Sequence, residues 1–215
     1  MNKKIFNLVI LDASGSMQSI YNQALSGVNE TIATIRIAQK EHPELEQYLT
    51  LASFSAGENF LNTIYEATPI EDVRDININD YPLRGCTALY DAMGTTISEL
   101  QQMLTHDDRV LVTIITDGYE NASRTWSGMQ IKSLVEELRQ MGWTFTYIGA
   151  NQDVDKVAES IGVRNRLCFS TTPEATERMF ATERSSRSRF YNSMACMVKK
   201  NECTLEEKED FFEPF

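Results

Sequence analysis

The stretch NLVILDASGSM, Asn7 to Met17, begins as a buried strand and then breaks its own pattern. Leu8 to Leu11 is an unbroken apolar run. Asp12 ends it, with Ser14, Gly15 and Ser16 close behind. Met17, Ile20, Ala24, Val28, Ile32 and Ile35 then recur at three- or four-residue intervals, the period of a helix with one apolar face. A strand that turns directly into a helix opens a β-α unit. The acid and hydroxyls at that turn lie where parallel sheets gather their function.

The same alternation runs through the chain. The first strand is expected over Ile5–Leu11, and its helix is closed by Pro43. Tyr48–Phe54 and Phe60–Tyr65 read as two strands, and the short link with Gly57 predicts an antiparallel hairpin. Asp72–Pro82 is polar and irregular, a loop or an edge segment. Ala88, Leu89, Ala92, Met93, Ile97, Leu100 and Leu104 form a second helix face. RVLVTIIT, Arg109 to Thr116, is nearly continuous and β-branched, as a strand covered on both faces should be. Met129–Met141 reads as a helix with Gly142 at its C-cap, and Trp143–Ile148 as a strand. Val154–Ile161 is a short helix ending at Gly162, and Arg166–Ser170 the last strand. A long helical pattern then runs from about Glu174 to Lys200, with a polar insert from Thr182 to Arg189.

This order implies an α/β fold: a doubly wound, mostly parallel sheet with helices on both faces. The expected division is one domain over residues 1–200, followed by an acidic, aromatic tail over 201–215 that includes EEKEDFFEPF.

Composition narrows the function. With 31 Asp and Glu against 20 Lys and Arg, the formal net charge is −11. Such a surface repels phosphate backbones, so nucleic acid is not expected as a partner, and cations are concentrated instead. The two lysines and apolar stretch at the start imitate a secretion signal, but Asp12 cuts the run short and no small-x-small cleavage site follows. No stretch approaches the roughly 18 apolar residues of a membrane span. Cys86, Cys168, Cys196 and Cys203 show no zinc spacing and no disulfide framework. Reduced thiols and a cytoplasmic location are the expectation.

Three pieces then converge: Asp12-x-Ser14-x-Ser16, Thr87 in RGCTALYDAM, and Asp117 in IITDGYEN. Two carboxylates and three hydroxyls make a hard, all-oxygen donor set suited to Mg²⁺, Mn²⁺ or Ca²⁺. Magnesium binds through one or two carboxylates and keeps several waters. So few protein charges leave the ion open to a further anion.

These pieces resemble the metal-ion-dependent adhesion site of the von Willebrand factor type A family: Asp-x-Ser-x-Ser, a distant Thr, then a distant Asp. The flanks NLVILD, GCTALYDA and TDGYEN match as well, and the resemblance covers roughly Ile5 to Ser170. It implies a six-stranded sheet of order 3-2-1-4-5-6 with the third strand antiparallel. It also implies a divalent cation, Mg²⁺ in the first instance, held directly by Ser14 and Ser16. Asp12 and Asp117 would lie beneath the ion, and Thr87 would be a ligand directly or through water. The open position would take an Asp or Glu carboxylate from another protein. Intracellular relatives commonly partner ATPases, kinases or phosphatases.

The expected function is therefore a metal-dependent protein-binding module. The alternative is a Mg²⁺-dependent phosphotransferase or phosphatase using Asp12, but that chemistry needs a second acid two residues on, where Ser14 stands. Neither a GxGxxG nor a Walker motif is present, so no enzymatic activity is expected. Plainer readings apply elsewhere. Asp91 and Glu120 read as surface charges and Cys86 as a small packed residue. His42 and His106 read as solvated, and Arg184, Arg187 and Arg189 as a solvated basic face.

Overall fold

A computed structural model describes residues 3–150, 153–170 and 172–200. The elements run β1 (Lys3–Asp12), a short 3-10 segment (Gly15–Ile20), α1 (Tyr21–Glu41), β2 (Leu45–Phe54), β3 (Leu61–Pro69), α2 (Leu89–Met103), β4 (Arg109–Thr116), α3 (Gly128–Gln140), β5 (Thr144–Ala150), α4 (Val154–Ser160), β6 (Asn165–Phe169) and α5 (Pro173–Lys200). The strands form one sheet in the order β3-β2-β1-β4-β5-β6. Only the β2–β3 pairing is antiparallel. The fold expected from the alternation is the one observed.

Layering follows from the pleat. In β1, Ile5, Val9 and Leu11 point to the face covered by α1 and α5, while Phe6, Leu8 and Ile10 point to the face covered by α2, α3 and α4. Both faces are buried, which is why β1 and β4 carry apolar residues almost without a break. Asn7 is the exception: it is wholly buried mid-strand on the α1–α5 side. Gly142, at a positive φ of 89° just past α3, supplies the left-handed turn into β5.

Residues 73–82 form the irregular loop expected, although Val73, Ile76 and Tyr81 are buried against the α1 layer. One expectation is corrected. The polar insert Thr182–Arg189 does not interrupt α5 and is no solvated basic face. Arg187 is wholly buried, donating to Glu183, Asn7, Tyr191 and Thr113. Arg184 pairs with Glu30 of α1, and Arg189 donates to Ser186. The cluster seen in the sequence is dispersed because each arginine points a different way around the helix.

α5 runs parallel to α1. Phe180 packs on Gly27, Glu183 faces Thr31, and Asn192 meets His42. Both helices therefore start at the carboxyl end of the sheet and finish at its amino end. No helix among the described residues is long and apolar enough to cross a membrane. The tail, 201–215, with Cys203, lies outside the described residues.

Candidate metal centre at the carboxyl end of the sheet

β1 and β4 are neighbours with Leu11 opposite Ile115, so Asp12 ends its strand beside Thr116. The Thr116 hydroxyl donates to Asp12 Oδ2 at 2.6 Å, and the Ser14 backbone N–H donates to Asp12 Oδ1 at 2.7 Å. Asp12 is thus fixed through both oxygens and has no exposed surface. The Tyr81 hydroxyl donates to the Asp12 carbonyl, locking the strand end.

Backbone bonds draw the second segment over this turn. Arg84 N–H donates to the Ala13 carbonyl at 2.8 Å, and Gly15 N–H to the Gly85 carbonyl at 3.1 Å. Thr87 follows two residues later. Its N–H donates to Asn121 Oδ1 at 2.9 Å, and Asn121 N–H returns a bond to the Thr87 carbonyl at 3.0 Å. This clip ties the α2 entrance to the loop after β4.

The hydroxyls and carboxylates meet between these segments. Ser14 Oγ and Ser16 Oγ are 3.0 Å apart, and Ser16 Oγ donates to Asp117 Oδ1 at 2.6 Å. A Cβ on Gly118 would stand 3.2 Å from Thr87 Oγ1 and 3.5 Å from Ser16 Oγ. Thr87 therefore reaches the same spot. All five residues picked out by the sequence are brought together there. Ser14, Thr87 and Asp117 are buried and Ser16 is exposed, so the cluster opens to solvent past Ser16. Thr87 is not the N-cap of α2. That position is Ala88, and no side chain of its own caps the helix.

Charge at the site is uncompensated. Burial pushes the Asp12 carboxyl up to about 6, against hydrogen bonds from Thr116 and Ser14 that favour its charged form. Asp117 is raised too, again by burial first, with the Ser16 hydroxyl opposing. No salt bridge among the described residues reaches either carboxylate. Asp117 Oδ2 is buried and has no hydrogen-bond partner, an arrangement that costs free energy unless something electropositive meets it. A hard divalent cation fits this donor set, whose oxygens are hydroxyl and carboxylate alone. Among the described residues there is no group of three or more His, Cys, Asp or Glu suited to a metal. Any cation here depends on the serine and threonine hydroxyls.

Several residues that organise the site read otherwise in the sequence. Asp91 is buried, not a surface charge, and accepts from the backbone N–H groups of Arg124, Thr125 and Trp126. Glu120 accepts from the N–H groups of Tyr90, Ala122 and Ser123. Together with Ser123, whose hydroxyl accepts from Asp91 N–H, it caps α2 from outside the helix. A carboxylate one turn into a helix and another beside an Asn were the available signals, but the partners are some thirty residues apart. Cys86 is exposed at the rim, not packed. His42 is largely covered and hydrogen-bonds Asn192, whereas His106 is fully exposed as expected.

No protein-family model and no curated protein matches the chain. Solved structures do. Proximal thread matrix protein 1 from the mussel byssus, with a zinc-occupied MIDAS motif, matches at a TM-score of 0.56 and 12% identity over 84% of this chain. The SpRpn10 VWA domain matches at a TM-score of 0.55 and 10% identity, covering 85% of this chain and 95% of that one. Manganese-loaded TRAP protein from Plasmodium vivax matches at 0.54 and 15% identity, covering 83% and 72%. The chain spans only 44% of the byssus protein. The likeness establishes the fold, that of a von Willebrand factor type A domain.

Proposed function

We propose that this protein is a metal-dependent protein-binding module. A divalent cation, with Mg²⁺ the first choice and Mn²⁺ or Ca²⁺ the others, would be held by Asp12, Ser14, Ser16, Thr87 and Asp117. The bound cation supplies a Lewis-acid position that a carboxylate from another protein can occupy. The observation that carries the reading is the buried, unpartnered Asp117 Oδ2 beside three convergent hydroxyls. The solved relatives with zinc or manganese bound lend support.

The chain's own residues do the rest. Thr116 and Ser14 N–H hold Asp12 so that it contributes charge from beneath, and Ser16 stands at the solvent side where a partner arrives. The phosphotransferase alternative has less support. Asp12 is enclosed with both oxygens engaged, and a nucleophile needs an open face toward phosphorus. We place the protein in the cytoplasm because Cys86, Cys168 and Cys196 are exposed free thiols, which a reducing compartment preserves. Titration calorimetry with Mg²⁺ and Mn²⁺ tests the reading. Binding by the wild type that vanishes in Asp117→Ala is expected; equal binding by the variant overturns it.

A further inference from the structure

The rim of the candidate metal centre carries two arginines. On a chain of net charge −11, Arg84 and Arg124 flank the site. Arg84 is rooted on it by its N–H bond to Ala13, and Arg124 by its N–H bond to Asp91 on the first turn of α2. Both side chains are exposed, and neither makes an ion pair or side-chain hydrogen bond among the described residues. Tyr119, two residues past Asp117, is 53% exposed, and Met129, at the start of α3, is 81% exposed. A divalent cation, two unpaired guanidinium groups and exposed apolar side chains fit a ligand with several carboxylates next to aromatic rings.

The chain carries such a segment itself. Glu206, Glu207, Glu209, Asp210 and Glu213 surround Lys208, Phe211 and Phe212 in its tail. Resting on the metal-dependent reading above, we propose that this acidic, aromatic segment is the ligand of the metal centre and that it is supplied by a second copy of the chain.

Reach decides between the same copy and another. α5 starts at the carboxyl end of the sheet and its 28 residues carry the chain about 42 Å away from it. The Asn192–His42 contact marks the amino end of the sheet, and eight more residues follow before Lys200 is reached. Glu206 to Asp210 lie six to ten residues past Lys200, a span of roughly 20–36 Å even fully extended. These four carboxylates cannot return to their own site, and Glu213, thirteen residues past Lys200, spans about 43–47 Å only as a straight, fully extended chain, with no slack to pass around the domain. Two copies can exchange segments reciprocally, which closes the assembly as a symmetric dimer.

The test is sedimentation velocity on the full chain with Mg²⁺ or with EDTA, alongside Mg²⁺-induced thermal stabilisation of the same samples. Expected is a dimer in Mg²⁺ and a monomer in EDTA. The full-length variant with Glu206, Glu207, Glu209 and Glu213 changed to Gln and Asp210 to Asn should stay monomeric yet keep its thermal response to Mg²⁺. Arg84→Ala and Arg124→Ala should each weaken association about two- to fivefold, the size expected of an exposed charge pair. A monomer in Mg²⁺ that is nonetheless stabilised by Mg²⁺ overturns this inference alone and leaves the carboxylate to an unrelated protein. Undiminished dimerisation of the tail variant overturns it too. Loss of all Mg²⁺ response in the wild type overturns the metal-dependent reading beneath it.

Discussion

Arg187 and Glu183 form an ion pair one turn apart on α5, with Nη2 2.6 Å from Oε1 and side chains only 0% and 2% exposed. The guanidinium also donates to Asn7 Oδ1, Thr113 Oγ1 and the Tyr191 hydroxyl. The Tyr191 hydroxyl donates to Asn7 Oδ1, and Asn7 Nδ2 donates to Gln47 and to the Tyr48 carbonyl. A polar network thus stitches α5 to β1, β4 and β2 through what is otherwise an apolar layer.

Breaking that pair from one side should be far worse than removing it whole. Glu183→Ala leaves the Arg187 charge buried among neutral partners, and a loss of about 3–5 kcal/mol is expected in urea unfolding. Replacing both with apolar residues of similar volume, Glu183→Leu with Arg187→Met, should cost clearly less than the two single changes added together. Additive losses would show that the residues do not act as a pair.

Cation binding should raise thermal stability. At a hundredfold excess of Mg²⁺ over its Kd, mass action contributes about 2.7 kcal/mol, several degrees in the unfolding midpoint. Asp117→Ala should remove this response and also relieve the buried, unpaired oxygen. The variant is therefore expected to be at least as stable as the wild type in EDTA.

Acid should compete with the cation. The Asp12 carboxyl, raised by burial to about 6, holds its proton more tightly in the folded than in the unfolded chain. In EDTA its contribution favours the fold at pH values below the ordinary carboxylate range and is lost as pH rises through about 6. The difference in stability between wild type and Asp12→Asn should follow that course. In Mg²⁺ the order inverts: affinity should fall as pH drops from 7 to 5, because the proton occupies the oxygens the ion needs.

Thr116 should act through Asp12. Thr116→Val removes the hydroxyl that donates to Asp12 Oδ2, so the carboxyl should titrate still higher and Mg²⁺ affinity at neutral pH should fall about tenfold. Thr116→Ser, which keeps the hydroxyl, should restore most of it. Equal loss in both variants would point to packing instead.

At Gly27 there is no room for a side chain. A Cβ there would stand 2.2 Å from the ring of Phe180, forcing α1 and α5 apart. Gly27→Ala should cost about 1–3 kcal/mol despite the better helix propensity of alanine. A neutral or stabilising result would show that the Phe180 ring swings away freely.

The element order, the hairpin, the strand-to-helix turn at Asp12 and the five oxygen-bearing residues were legible in the sequence by itself. Each is written in a short window: a run of apolar residues, a period of three to four, a carboxylate where a strand ends. Tertiary structure alone decided that Arg187 lies in the core, that Asp91 and Glu120 hold loops, that Thr116 orients Asp12, and that Arg84 and Arg124 stand unpaired at the rim. The physical reason is that a polar side chain's environment is set by its partners. Asn7 finds Arg187 across 180 residues and Thr116 finds Asp12 across 104, and no local period encodes which charges will meet and which will be left facing water.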